Sequence, residues 1–266
     1  MSRISTTNRH LILIASAILL IAFLGMLGYL KYFSETPTCS DNKQNGDEVG
    51  IDCGGGCRLV CTVQASPIVL KWQRPFQTLN DVYNVVAQLE NVNPDLGIRE
   101  LVYDVKIYDQ DNVLIVGPIQ RTTTIGPNQN HVLFIGPLET SKSREPARVF
   151  FKLAGSSGWE HVDTFFAKAP IVVRRQNFVN SPNGAALDIE LENTTQRQVY
   201  DIEVIVLLYD ATGNVVGVSR TEIDMMNPNT TDVSTLTWPM PFDEGEVAKI
   251  VVQPQINVFH EQNDRL

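Results

Sequence analysis

The chain copies itself. Residues Pro67-Ile68-Val69-Leu70-Lys71-Trp72-Gln73 return as Pro170-Ile171-Val172-Val173-Arg174-Arg175-Gln176. Leu89-Glu90-Asn91 returns as Leu191-Glu192-Asn193, Ile107-Tyr108-Asp109 as Leu208-Tyr209-Asp210, and Ala147-Arg148-Val149 as Ala248-Lys249-Ile250. Pro67 and Pro170 lie 103 positions apart, and Tyr108 and Tyr209 lie 101 apart. A period near 100 residues is too long for a solenoid unit and about right for one β-sandwich domain. Two copies of such a domain therefore make up most of the chain.

Within the copies the side-chain pattern has period 2. Tyr103, Val105 and Ile107 alternate with Asp104 and Lys106, as a half-buried antiparallel strand requires. Val204, Val206 and Leu208 mark the equivalent strand. Each strand ends at Tyr-Asp and turns through Asp, Asn or Gly, residues that tolerate Asx and left-handed geometry. Further strands are expected at 68–73, 83–89, 113–116, 120–125, 131–135, 148–153 and 159–163. In the second copy they are expected at 171–175, 186–191, 198–208, 215–223, 231–237 and 247–252. About seven short strands per copy fit an Ig-like sandwich. Neither copy contains cysteine, so burial of apolar side chains must hold each together.

The N-terminus is of another kind. Leu11 to Leu30 carry no charge, and twenty residues of helix span about 30 Å, one hydrocarbon thickness. Arg3 and Arg9 precede the run, so the positive-inside rule keeps the N-terminus cytoplasmic and exports the rest. A cleaved signal peptide is the competing reading, but the apolar run is longer than its usual core and offers no A-x-A site.

All four cysteines fall between these parts: Cys39, Cys53, Cys57 and Cys61. The spacing lacks the paired C-x2-C knuckles common in zinc sites, and export places the thiols where an even count reads as disulfides. Three pairings are open, of which Cys39–Cys57 with Cys53–Cys61 is favoured. Asp41, Asn45, Asp47 and Asp52 occupy positions 1, 5, 7 and 12 of a calcium-type loop, with Gly46 at position 6. Lys43 at position 3 departs from that pattern, as does Asp rather than Glu at position 12. Calcium is thus the one cofactor the sequence points to; a polar loop closed by Asx turns is the alternative.

Two resemblances rest on these residues. Asn45-Gly46-Asp47-Glu48, Asp52-Cys53-Gly54-Gly55-Gly56-Cys57 and Cys61 look like a short D-C-G-G-x-C motif of bacterial surface and secreted proteins. Val105-Lys106-Ile107-Tyr108-Asp109 and Val206-Leu207-Leu208-Tyr209-Asp210, each with its upstream Leu-Glu-Asn, resemble the bacterial FxLYD domain family. Val stands for the leading Phe in both copies, and Ile for Leu in the first. The resemblance implies an extracytoplasmic β-sandwich of unassigned function.

One asymmetry points to an interface. Where the first copy has Asp104 and Lys106, the second has Ile205 and Leu207. A strand apolar on both faces is covered by something: a loop, the segment 256–259, or a partner or interdomain surface. Phe165-Phe166-Ala167-Lys168-Ala169-Pro170, between the copies, is short and partly apolar, and suggests a semi-fixed relation.

Chemistry is missing elsewhere. No metalloprotease, nucleophile-elbow, phosphate-loop or dinucleotide pattern occurs, His131, His161 and His260 stand alone, and the chain reads as no enzyme. Net charge −9 with 21 Lys+Arg excludes the basic stripe that nucleic acid needs. The expected fold class is mainly β, with two tandem Ig-like β-sandwiches after one N-terminal transmembrane helix and a small disulfide-bonded module. The expected layout is a cytoplasmic N-terminus 1–10, transmembrane helix 11–31, Cys-rich module 32–63, sandwiches 64–166 and 167–260, and polar tail 261–266. The function expected is that of a single-pass plasma-membrane protein whose sandwiches bind a protein partner or serve envelope assembly. A ligand- or glycan-binding surface receptor with a calcium-stabilised module is the alternative, which Trp72, Trp159 and Trp238 clustered at one sandwich end would favour.

Overall fold

The computed structural model describes residues 6–33, 37–140, 144–162, 170–260 and 263, and within the N-terminal helix the side chains of 13–29. The chain divides into two compact units, Met1–Gly56 and Cys57–Leu266. In the first unit, helix α1 runs Thr6–Phe33. Every side chain described on it is exposed, including Leu13, Leu19 and Phe23. Among the described residues no helix is long and apolar enough to cross a membrane.

The second unit is β-rich. Its first part comprises β1 (Leu59–Val60), β2 (Val69–Leu79), β3 (Val82–Asn91), β4 (Leu96–Tyr108), β5 (Leu114–Ile125), β6 (Gln129–Glu139), β7 (Arg148–Ser156) and β8 (Trp159–His161). Its second part comprises β9 (Ile171–Ser181), β10 (Gly184–Asn193), β11 (Val199–Tyr209), β12 (Val215–Met226), β13 (Thr231–Trp238) and β14 (Lys249–Ile256). All pairings are antiparallel. β2-β3-β6 faces a sheet built on β4, which pairs β5, β7 and β8, with β1 on the far side of β8. β9-β10-β13 faces β12-β11-β14. The sequence repeat is thus a topological repeat in which β2–β7 correspond to β9–β14, with β1 and β8 added to the first copy.

Each repeat has six long strands rather than seven short ones. The expected pair 113–116 and 120–125 is one strand, β5, because Gly117 at φ +100° carries the chain through an irregularity without a break. A Cβ at Gly117 would stand 2.6 Å from the Val105 carbonyl oxygen, so glycine is required there. Residues 163–169, which hold the expected linker, lie outside the described residues. β1 pairs β8, which puts Cys57 and Cys61 in the same unit as the sandwiches.

Alternation fills two separate interiors. Val85, Ala87, Leu89, Val105 and Ile107 point into the first, Leu187, Ile189, Leu191, Val204, Val206 and Leu208 into the second. The repeated motif residues hold the ends. Asn91, 1% exposed, donates its amide to the carbonyls of Leu96 and Gly126, both at 2.7 Å. Asn193, fully buried, donates to Arg197 at 2.7 Å and to Met226 and Asn227. Each Asn therefore ties off the loops at one end of its sandwich. The two aspartates of the Tyr-Asp corner close the opposite hairpins. Asp109 Oδ1 accepts the amides of Asp111 and Val113, and Asp210 Oδ1 those of Thr212 and Asn214.

Candidate functional site

The side chains that face away from these interiors pack on one another. Val86 and Val132 on the outer face of the first sandwich meet Ile205, Leu207 and Val218 of the second. Trp72, Phe76, Phe134, Tyr209, Val215 and Val251 complete the cluster. Ile205 is fully buried and Leu207 is 1% exposed. The sequence-derived interface residues therefore lie in a seam between the two repeats of the chain itself, and neither segment 256–259 nor an outside partner is needed to cover them. Each such side chain contributes about 1.5–3 kcal/mol by burial.

Polar groups fix the register of the seam. β6 is the edge of its sheet, and Gln255 from β14 caps that edge: its Nε2 donates to the Val132 carbonyl at 3.0 Å, and its Oε1 accepts the Val132 amide. Gln253 Nε2 donates to the Asn130 carbonyl. The Arg220 guanidinium lies 5.2 Å from the Phe134 ring centroid and pairs with Glu203 at 3.1 Å. Beyond β14, Val258 and Phe259 pack against Val162, and Arg99 stacks 4.6 Å from the Phe259 centroid. Gly97 and Gly126 make room for that segment: a Cβ at either would stand 3.0 Å from Phe259 or 3.3 Å from Val258. Asn263, in the expected polar tail, is buried and bonds the Tyr200 backbone both ways.

Two concavities flank the seam. The first, about 370 Å³, is polar and lined by Thr122, Thr123, Thr124, His131, Glu203 and Gln255 among others. Burial pushes the His131 imidazole down to about 4 and the Glu203 carboxyl up. His131 Nε2 lies 3.0 Å from Thr123 Oγ1, and Nδ1 has no hydrogen-bond partner among the described residues. The second, about 560 Å³, has an aromatic wall. Phe76 and Phe134 come from the first sandwich, Trp238 and Phe242 from the second. Phe178, Trp238 and Phe242 form a triad with centroids 6.0–6.3 Å apart, Trp238 standing edge-on to both phenylalanines. Asn180 holds the Phe242 backbone by two hydrogen bonds, 2.8 and 3.1 Å.

The Cys-rich stretch shows where its acidic residues go. Among the described residues of the first unit, Asp52 accepts the Asp41 amide at 2.9 Å and the Asn42 amide at 2.9 Å. Asp41 accepts the Lys43 amide and the Asn45 side-chain amide, both at 2.9 Å, and the Asn45 bond holds its carboxyl below the usual range. Glu48 accepts the Asn45 amide at 3.1 Å. The Asp41 and Asp52 carboxylates thus accept nearby amides, as Asx-type staples do. The glycines are equally structural. At Gly54 (φ +75°) a Cβ would meet Val49 at 2.6 Å, and at Gly55 (φ +60°) the Asp47 carbonyl at 2.0 Å, whereas at Gly56 the nearest atom is 3.1 Å away. All four cysteines, Cys39, Cys53, Cys57 and Cys61, are disulfide-bonded.

Sequence reading located the second-repeat half of the seam and missed the first. The signal was present at Val85-Val86-Ala87, apolar on consecutive positions, against Ile-buried, Asp188-exposed alternation in the second copy. The three tryptophans fall into three different clusters, Trp159 and Trp238 in the two interiors and Trp72 at the seam, so they form no common platform.

No family model matches the chain, and no curated protein does. Among solved structures, a β-glucuronidase of glycoside hydrolase family 2 is similar at 9% identity and TM-score 0.23, over 84% of this chain and 29% of that one. The N-terminal tandem CBM22 domains of Paenibacillus barcinonensis Xyn10C are similar at 6% identity and TM-score 0.15, over 77% of this chain and 89% of that one. Likeness at these scores carries no argument.

Proposed function

We propose that this chain is a single-pass envelope protein that uses two fused β-sandwiches to bind a protein partner outside the plasma membrane. The observation that carries the reading is the seam. Ile205, Leu207, Val86 and Val132 are spent on joining the repeats, so the pair acts as one rigid body with concave sites to which both repeats contribute. Rigid bodies with preformed clefts lose little conformational freedom on binding.

The anchor rests on α1. A helix apolar on all sides belongs in a core or in a bilayer, and the described side chains of α1 are exposed. Disulfide bonding of every cysteine fits an oxidising compartment. The likeness of the Tyr-Asp corners to FxLYD domains fits the same location. A receptor for a small polar ligand is the second reading, favoured by the 370 Å³ polar cavity.

Reporter fusions at the C-terminus test the location: an extracytoplasmic readout is expected, and a cytosolic one overturns the proposal. Chemical crosslinking in intact cells, followed by capture of the full chain, is expected to recover a discrete protein partner. Recovery of none, together with specific uptake of a small molecule, favours the second reading.

A further inference from the structure

The free sheet edges of the second unit are treated unequally. β6 presents its outward backbone groups to Gln255 and Gln253, whose side-chain amides occupy them as a neighbouring strand would. β12 also ends its sheet, in the order β12-β11-β14, and no other described strand pairs with its outer edge. Five consecutive β12 residues, 216–220, instead line the aromatic cleft. An edge strand left open is a template for another strand, and proteins ordinarily blunt such edges.

The cleft beside that edge is shaped for side chains. Five residues of strand extend about 17 Å, enough to register a short extended segment. Phe76, Phe134, Trp238 and Phe242 stand along it, and Phe76, Phe134 and Val218 belong also to the seam cluster. The cleft is therefore continuous with an established apolar interface. Gly217 keeps it in form: a Cβ there would stand 2.6 Å from the Phe242 ring.

We propose that the outer edge of β12 takes an extended peptide segment of a partner protein as an added strand, with alternate apolar side chains seated in the aromatic cleft. Main-chain hydrogen bonds supply affinity in this mode and the pocket supplies choice. The proposal rests on the reading of the chain as a protein-binding module and names the mode of that binding.

The test uses the full chain, ¹⁵N-labelled, in detergent, with a blocked hexapeptide of alternating phenylalanine and threonine as probe. Expected are amide shifts confined to 216–220 and the 238–242 segment, with exchange of the outward β12 amides slowed at least tenfold at saturation. The same peptide with alternate amides N-methylated is expected to bind at least tenfold more weakly. Phe242→Ala is expected to weaken the parent peptide at least fivefold; should that variant unfold, the N-methyl comparison decides alone. Absence of shifts at millimolar peptide, shifts elsewhere, or indifference to N-methylation overturns the proposal. Concentration-dependent self-association through the same amides overturns it too, since the occupant is then a second copy. If a crosslinked partner is still captured after the peptide has failed, strand addition falls and the protein-binding reading stands.

Discussion

Truncating Leu207 discriminates between a seam and two sandwiches that merely touch. Leu207 is 1% exposed and sits among Val86, Val132, Ile205 and Val218. Leu→Ala at such a site loses the transfer energy of the removed atoms and leaves a cavity, together about 2–5 kcal/mol. The equivalent position in the first repeat is Lys106, half-exposed on the outer face of β4. Lys106→Ala, a surface change, is expected to cost no more than about 0.5 kcal/mol. Urea unfolding of both variants at equal slope gives the comparison directly. A double-mutant cycle with Val86→Ala then asks whether the loss depends on the other repeat. Residues sharing one cluster are expected to couple by more than about 0.5 kcal/mol. If Leu207→Ala costs no more than Lys106→Ala, or if the cycle shows no coupling, the repeats are not fused through this face and the reasoning fails.

Acid should loosen the molecule through His131, buried neutral with its imidazole pushed from 6.5 down to about 4. The unfolded chain binds the proton first, so stability is full above about 6.5 and falls between there and about 4, by about 3 kcal/mol in all. In pH-dependent calorimetry His131→Leu should remove that part of the slope; an unchanged slope would refute it. Gln255→Leu strips both partners from the Val132 backbone and should cost about 2–4 kcal/mol in chemical unfolding; a loss under about 0.5 kcal/mol would mean water serves the edge as well. Gly55→Ala forces a Cβ to 2.0 Å from the Asp47 carbonyl and should raise the free-thiol count of the purified chain, while Gly56→Ala should leave it unchanged. Equal thiol counts in the two variants would contradict the packing described.

The sandwiches were legible because their signals are local. Period-2 alternation at 103–107 and 204–208 fixes which side chains point inward, and Tyr-Asp with Asn or Gly fixes the hairpins. The role of Leu-Glu-Asn was not legible, since the carbonyls that Asn91 and Asn193 hold lie up to 35 residues away in sequence. Asp41, Asn45, Asp47 and Asp52 have calcium-like spacing, yet backbone amides take up oxygens of Asp41 and Asp52, and spacing alone does not distinguish those uses. The seam was half legible. Ile205 and Leu207 announce a covered face, but the cover, Val86 with Phe134, sits in strands whose other copy carries exposed Asp188 and Thr235.

Residual dipolar couplings from backbone amides of both sandwiches test the fusion most directly. The account predicts that couplings from β3 and β6 and from β11 and β14 fit a single alignment tensor in the geometry of the seam. Two tensors of different magnitude would mean that the sandwiches reorient independently, and the rigid pair with its shared clefts would be contradicted.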